Sequence, residues 1–227
     1  MSKCYMCDQI SVGKEHVPPR CLFPNSKDLP TGINLRKDLI TVPSCDEHNS
    51  EKSHEDQYFL NVITSCEMIN EVEREHYRKL MRRQNQRNNS ILARFVNRSV
   101  EIGNKLAHKV EIDRLDSFVR HLACALYFAH FRSRWDSDLK WVPEFLTRIA
   151  DSDKDAERAR LAIVEESNFE FRGVPYHGAN PQVFVYQVIG TKEQCKMRLG
   201  FYEGCMILLI FSECNSTDVL TLKESSH

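Results

Sequence analysis

The chain has 227 residues, with 31 Lys and Arg against 32 Asp and Glu, nine cysteines, 41% hydrophobic and 28% charged residues. That balance excludes a disordered chain, and the length is enough to bury a core without covalent staples. The longest apolar run, around Met206–Phe211, falls far short of the roughly 18 to 20 residues that a membrane helix needs, so no integral membrane protein is expected. The opening residues, MSKCYMCDQ, hold no apolar segment of a secretory signal, which predicts a cytoplasmic chain whose cysteines are thiols or metal ligands rather than disulfides.

Residues 1–58 differ from the rest. Up to about residue 56 they carry four of the nine cysteines and five of the eight prolines, and their apolar runs are short and broken by turn formers. Strands are predicted at Ile10–Val17, ending at Pro18-Pro19, and at Leu39–Val42, ending at Pro43. Ser44 is expected to cap a helix, and from Asp56 to about Asn85 apolar residues recur at three- and four-residue steps, predicting one long amphipathic helix. A second helix is expected from Asn89 to about Lys109. A third, Asp113–Arg134, is apolar on most faces and reads as the central helix of residues 59–227. After the short segment Val142–Ile149 and the charged stretch DSDKDAERAR, expected as helix or loop, β signals at Phe169–Phe171, Val183–Ile189, Lys196–Tyr202 and Cys205–Phe211 predict an antiparallel meander, followed by a polar end, Asn215–His227.

The strongest chemical signal is Cys4-x-x-Cys7 followed by Cys45-x-x-His48. Two pairs at two-residue spacing suit tetrahedral zinc, and a small module with so few apolar residues gains stability from such a site. Cys21, Cys66, Cys124, Cys195, Cys205 and Cys214 stand singly, as buried small apolar residues do. Between the pairs lies Glu15-His16-Val17-Pro18-Pro19, and Asn49 and Lys52 follow the second pair. A zinc tie between the pairs would bring Glu15, His16 and Asn49 together. A carboxylate and an amide oxygen are hard donors for an Mg²⁺-like ion, and a neutral imidazole can take a proton from water, which together suffice for one-metal phosphodiester hydrolysis.

At these residues, CYMC, EHVPP, LITVPS, CDEHN and Lys52, the chain resembles the HNH endonuclease family, the zinc-stapled branch of the ββα-metal (His-Me finger) nucleases, over about residues 4–60. The resemblance implies Cys4, Cys7 and Cys45 as structural zinc ligands, with His48 where a fourth cysteine is usual. It implies His16 as general base, Glu15 and Asn49 as ligands of a catalytic Mg²⁺ or Mn²⁺, and Asp38, or Asn34, in the middle position that holds the loop of the base. His54 and Asp56 read as a solvated helix face, with a role at the metal as the second reading. His121 and His130 read as structural, and His177 has no assigned partner.

From His76 to Arg98 run Arg78, Lys79, Arg82, Arg83, Arg87, Arg94 and Arg98 without an acidic residue between them, a stripe that, with Lys52, suits either phosphate contact or a solvated face. The expected architecture is α+β: an N-terminal ββα-metal zinc module (1–58), a helical middle and a small C-terminal antiparallel sheet, residues 59–227 serving as substrate platform or partner and regulatory region. The expected function is cleavage of DNA, and the family context implies an effector in restriction or anti-phage defence. The alternative is a zinc-stabilised module that binds nucleic acid or protein without catalysis.

Overall fold

A computed structural model describes residues 2–50, 53–66, 70–86, 99–102, 105–146 and 154–212. Strand β1 (Gly13–Val17) pairs antiparallel with β2 (Ile40–Ser44), setting Glu15 opposite Val42 and His16 opposite Thr41. Proline has no N–H to give a ladder, and Pro18-Pro19 end β1 one residue after Val17 turns into the core. The chain returns through residues 18–39 in two short 3₁₀ turns. Ser44 closes β2 rather than capping a helix. Helix α1 (Asp46–Ser50) starts two residues later, the Asn49 N–H donating to the Cys45 carbonyl at 3.1 Å, so Cys45 occupies the cap position.

The long helix expected over 56–85 is two helices, α2 (Ser53–Thr64) and α3 (Glu71–Gln86). Side chains at the end of α2 turn back on its own carbonyls: Thr64 Oγ1 donates to Leu60 O at 2.7 Å and Ser65 Oγ to Val62 O at 2.8 Å. Asn70 then caps α3 by accepting from the Glu73 N–H at 2.8 Å. Apolar spacing continues through such a break because both helices face the same core. The helix expected over 89–109 is also corrected: its second half is an antiparallel pair, β3 (Ser99–Ile102) with β4 (Lys105–His108), and the rest lies outside the described residues. The Gly103-Asn104 pair between the strands is a hairpin signal that outweighs weak helical spacing.

Helix α4 (Ile112–Phe131) is the central helix. It buries Leu115, Phe118, Val119, Leu122 and Leu126, and ends where Arg132 adopts a left-handed φ of 56° and its N–H donates to the Phe128 carbonyl. Beyond it, β5 (Asp138–Pro143), helix α5 (Lys154–Glu170), β6 (His177–Asn180), β7 (Phe184–Gly190), β8 (Gln194–Phe201) and β9 (Cys205–Ser212) complete the described chain. Five of these strands form one antiparallel sheet in the order β5-β9-β8-β7-β6. Phe169–Phe171, expected as a strand, instead ends α5, because the Phe171 N–H continues the helical pattern to Ser167 O at 3.0 Å and its ring is buried. Edge strands β5 and β6, neither expected from the sequence, pair with β9 and β7; HGAN lacks the alternation that marks a strand, and in DLKWVP the alternation spans only Asp138–Trp141.

The architecture is therefore mixed, helices with antiparallel sheets, the C-terminal one included. One continuous core runs from Cys4 and Tyr5 to Phe211. Phe59 of α2 stacks on Phe118 of α4 at 4.0 Å between ring centres and meets Phe201 of β8 edge-on at 5.1 Å. No described helix is long and apolar enough to cross a membrane.

Candidate functional site

The first element of the site is a cluster of sulfur and nitrogen. Cys4 and Cys7 lie on an N-terminal knuckle closed by the Cys4 N–H to Gln9 O (2.9 Å) and joined to β2 by the Tyr5 N–H to Pro43 O (2.9 Å). Cys45 caps α1 and His48 follows one turn later. The four ligand atoms lie within 4.8 Å of one another: Cys7 Sγ is 3.7 Å from Cys45 Sγ, and His48 Nδ1 is 3.7, 3.6 and 3.1 Å from the sulfurs of Cys4, Cys7 and Cys45. Zn–S bonds of about 2.3 Å and Zn–N bonds of about 2.0 Å in a tetrahedron put sulfurs about 3.7 Å apart and sulfur about 3.5 Å from nitrogen. The donor set and its spacing therefore fit a metal ion such as zinc.

Beside the cluster lies a cavity of about 230 Å³ lined by residues from three parts of the chain. Glu15, His16 and Val17 come from β1, Glu55 and Asp56 from the start of α2, and Ser117, Phe118, His121, Leu122 and Ala125 from α4. The α4 side chains form a largely apolar wall, so the polar groups stand mainly on the other two elements. One carboxylate oxygen each of Glu15 (Oε2) and Asp56 (Oδ1) is shut off from solvent. The buried Tyr5 hydroxyl is hydrogen-bonded to Glu15, and its own ionisation is pushed up by burial and by that carboxylate.

Burial, then the positive charges of Arg20 and Arg36, hold the His16 imidazole below its ordinary value, with Glu15 opposing; the ring is neutral at pH 7. Burial, then the Asp56 charge, pushes the Cys21 thiol up to about 12. Glu55 is bound to Arg114 Nε at 2.8 Å, which ties α2 to α4. His121 has its Nδ1 2.7 Å from the Ser117 carbonyl; a carbonyl only accepts, so Nδ1 carries a proton. Its ring lies 6.0 Å from that of His48, between the cluster and the cavity.

Of the residues singled out in the sequence, Glu15 and His16 meet on the cavity and Cys4, Cys7, Cys45 and His48 meet in the cluster. Asn49 is exposed on α1 and is not among the residues lining the cavity. Asp38 is exposed with a left-handed φ of 53°, 4.0 Å from Lys37 Nζ, and Asn34 is exposed with its side chain accepting from the Arg36 N–H; neither lines the cavity. His54 is exposed, whereas Asp56 faces inward. Arg78 and Lys79 pair with Glu75 on their own helix, and Arg83 holds Asp28 at 2.7 Å. Arg82 is exposed. Lys52, Arg87, Arg94 and Arg98 lie outside the described residues.

Tyr5, Arg20, Arg36 and Glu55 were not legible as site residues, and His121 reads from sequence as structural. His177, unassigned from sequence, packs beside Tyr186 and His130 at ring distances of 5.0 and 5.3 Å. The one available signal for His121 was a histidine on an otherwise apolar helix, which more often marks a satisfied boundary residue. Compared with family models, with curated proteins and with solved structures, the chain has no significant match.

Proposed function

We propose that the protein is a metal-dependent HNH-type endonuclease that hydrolyses phosphodiester bonds in DNA, as an effector of a restriction or anti-phage system. The observation that carries this reading is that Glu15 and His16, adjacent on one strand, line a partly buried cavity next to a four-ligand metal cluster. In this reading β1, β2 and α1 form the ββα-metal module of residues 1–58, and zinc on Cys4, Cys7, Cys45 and His48 is structural.

A divalent cation such as Mg²⁺ or Mn²⁺, when bound, neutralises charge on the scissile phosphate and the leaving oxygen. Glu15 offers it a hard oxygen donor, oriented by the Tyr5 hydroxyl. His16, neutral at pH 7, takes a proton from water so that the oxygen attacks phosphorus, one P–O bond forming as another breaks. Arg20 and Arg36, whose charges reach His16, suit the phosphate oxygens on either side. The role of Asn49 as second ligand comes from the family resemblance alone. Among the described cations of α3, exposed Arg82 suits more distant phosphates, because Glu75 pairs with Arg78 and Lys79 and Asp28 with Arg83.

The test is cleavage of supercoiled plasmid by the zinc-loaded chain with Mg²⁺, Mn²⁺ or EDTA, wild type beside His16→Ala. Cutting should need the divalent ion and fall by at least about a hundredfold in His16→Ala, with zinc content and Tm near wild type. Equal cutting by His16→Ala would overturn the assignment of the base. A folded, zinc-loaded wild type that is inert on DNA would favour the binding module, or an effector that waits for a partner acting through residues 59–227.

A further inference from the structure

We infer that His177 of β6, Tyr186 of β7, His130 of α4 and Arg132 just beyond it form a contact site for an unpaired nucleotide, its base stacking on the His177 ring and its phosphate held by Arg132. This rests on the nucleic-acid reading above and names the strand state of the substrate as single-stranded. His177 and Tyr186 are partners in the register of β6 with β7, and their rings lie 5.0 Å apart at 31°. The Tyr186 ring is in turn stacked on that of Phe184, at 6.1 Å and 21°. Phe184 and Tyr186 are buried, so this series of rings runs out of the core and ends at exposed His177. His130 braces it from α4, meeting His177 at 5.3 Å and 78°.

The strand that carries His177 is closely seated. Gly178 has a φ of 129°, and a Cβ there would lie 2.7 Å from the Phe184 carbonyl oxygen, so β6 admits no side chain between itself and β7 at this point. Among the described residues, the side chains of His130, His177, Tyr186 and Arg132 have no hydrogen-bond or ion-pair partner. The neighbours that act on the two inner rings are basic: burial, then His177, holds the His130 imidazole below its ordinary value, and burial raises the Tyr186 phenol with Arg132 opposing. An exposed ring beside an uncompensated guanidinium supplies what binds a single strand, a face for a base and a cation for its phosphate. Bases in a duplex are already stacked on one another, so such a ring selects an unpaired base. Helix α4, which walls the cavity with Ser117 to Ala125, ends at Arg132, about 10 Å further along its axis.

The test is fluorescence anisotropy of a labelled oligothymidylate, an abasic strand and a duplex of equal length, titrated with the full, zinc-loaded chain without added Mg²⁺ or Mn²⁺, so that binding is read apart from cutting. Wild type should hold the oligothymidylate at least tenfold more tightly than the duplex. His177→Ala and Arg132→Gln should each weaken it at least about fivefold with Tm near wild type, while His177→Phe, which keeps a ring, stays within twofold. On the abasic strand His177→Ala should match wild type, since no base is left to stack, whereas Arg132→Gln should still bind more weakly. In wild type the His177 ring signals should shift as the oligothymidylate is added, a readout that needs no variant. Wild-type affinity in both His177→Ala and Arg132→Gln, or a wild type that holds the duplex as tightly as the single strand, would overturn the site. If plasmid is cut all the same, the hydrolytic reading stands while this one falls. A wild type that neither binds nor cuts any of these would overturn both.

Discussion

Cys45 stands at the junction of a strand and a helix, and both of its contributions depend on that position. Its carbonyl starts α1 and its sulfur faces the thiols of Cys4 and Cys7 and the imidazole of His48. Serine can supply the carbonyl but not a thiolate, so Cys45→Ser separates the two. Zinc per chain, by metal analysis, should fall from about one to near zero. A loss of about 3 kcal/mol would lower Tm by roughly 6–12 °C for a chain of this size, readable by calorimetry. A variant that keeps zinc and Tm would remove Cys45 from the ligand set. The cluster was legible because both pairs are short-range patterns. His121 was not, since its place beside His48 arises only when α4 packs against the N-terminal strands.

At the scale of elements, the site depends on how α2 lies against α4. Phe59 and Phe118 stack with an interplanar angle of 14°, and both rings are buried; Arg114 joins the same helices by its bond to Glu55 and by lying 4.1 Å over the Tyr58 ring. Phe59→Ala should cost about 3–5 kcal/mol, measured by urea unfolding, because the cavity left behind adds to the lost burial. A cost below about 1 kcal/mol would mean that the ring does not hold the helices together.

Sequence periodicity identified α4 well, as twenty residues with a wide apolar surface leave one choice of period. It misread α2 and α3 as one helix, because the break is made by side chains of Thr64, Ser65 and Asn70 bonding to nearby backbone rather than by glycine or proline.

At the scale of the whole molecule, residues far apart in sequence are joined by buried polar contacts. The Tyr202 hydroxyl donates to the Leu22 carbonyl, and His76 Nδ1 of α3 lies 2.7 Å from the same hydroxyl. Asn180 of β6 donates to the Lys37 carbonyl at 3.0 Å, tying the C-terminal sheet to the loop between β1 and β2. Burial, reinforced by Arg36, lowers the His76 pKa from 6.5 to about 4. The unfolded chain takes up this proton near pH 6.5 and the folded one only near 4, so stability is fully present above 6.5 and falls as pH drops toward 4. The loss attributable to His76 should approach roughly 3 kcal/mol at pH 4. Unfolding at pH 7 and at pH 4.5 should therefore show a smaller acid loss in His76→Gln than in wild type, both carrying the same zinc site. Equal losses would show that His76 does not titrate on unfolding.

Sequence alone determined the features that depend on neighbours along the chain: the Cys4/Cys7 and Cys45/His48 pairs, the Glu15-His16 dipeptide ahead of two prolines, the central helix and the last three strands. These follow from spacing, periodicity and turn chemistry, which act over a few residues. Tertiary structure decided which of those residues share a space. It turned Asp56 inward and left His54 and Asn49 outside, added α4 with His121 to the cavity, and paired Arg78, Lys79 and Arg83 of the basic stripe with Glu75 and Asp28. Packing direction and long-range pairing set those outcomes, and neither is written in the spacing of residues along one strand or helix.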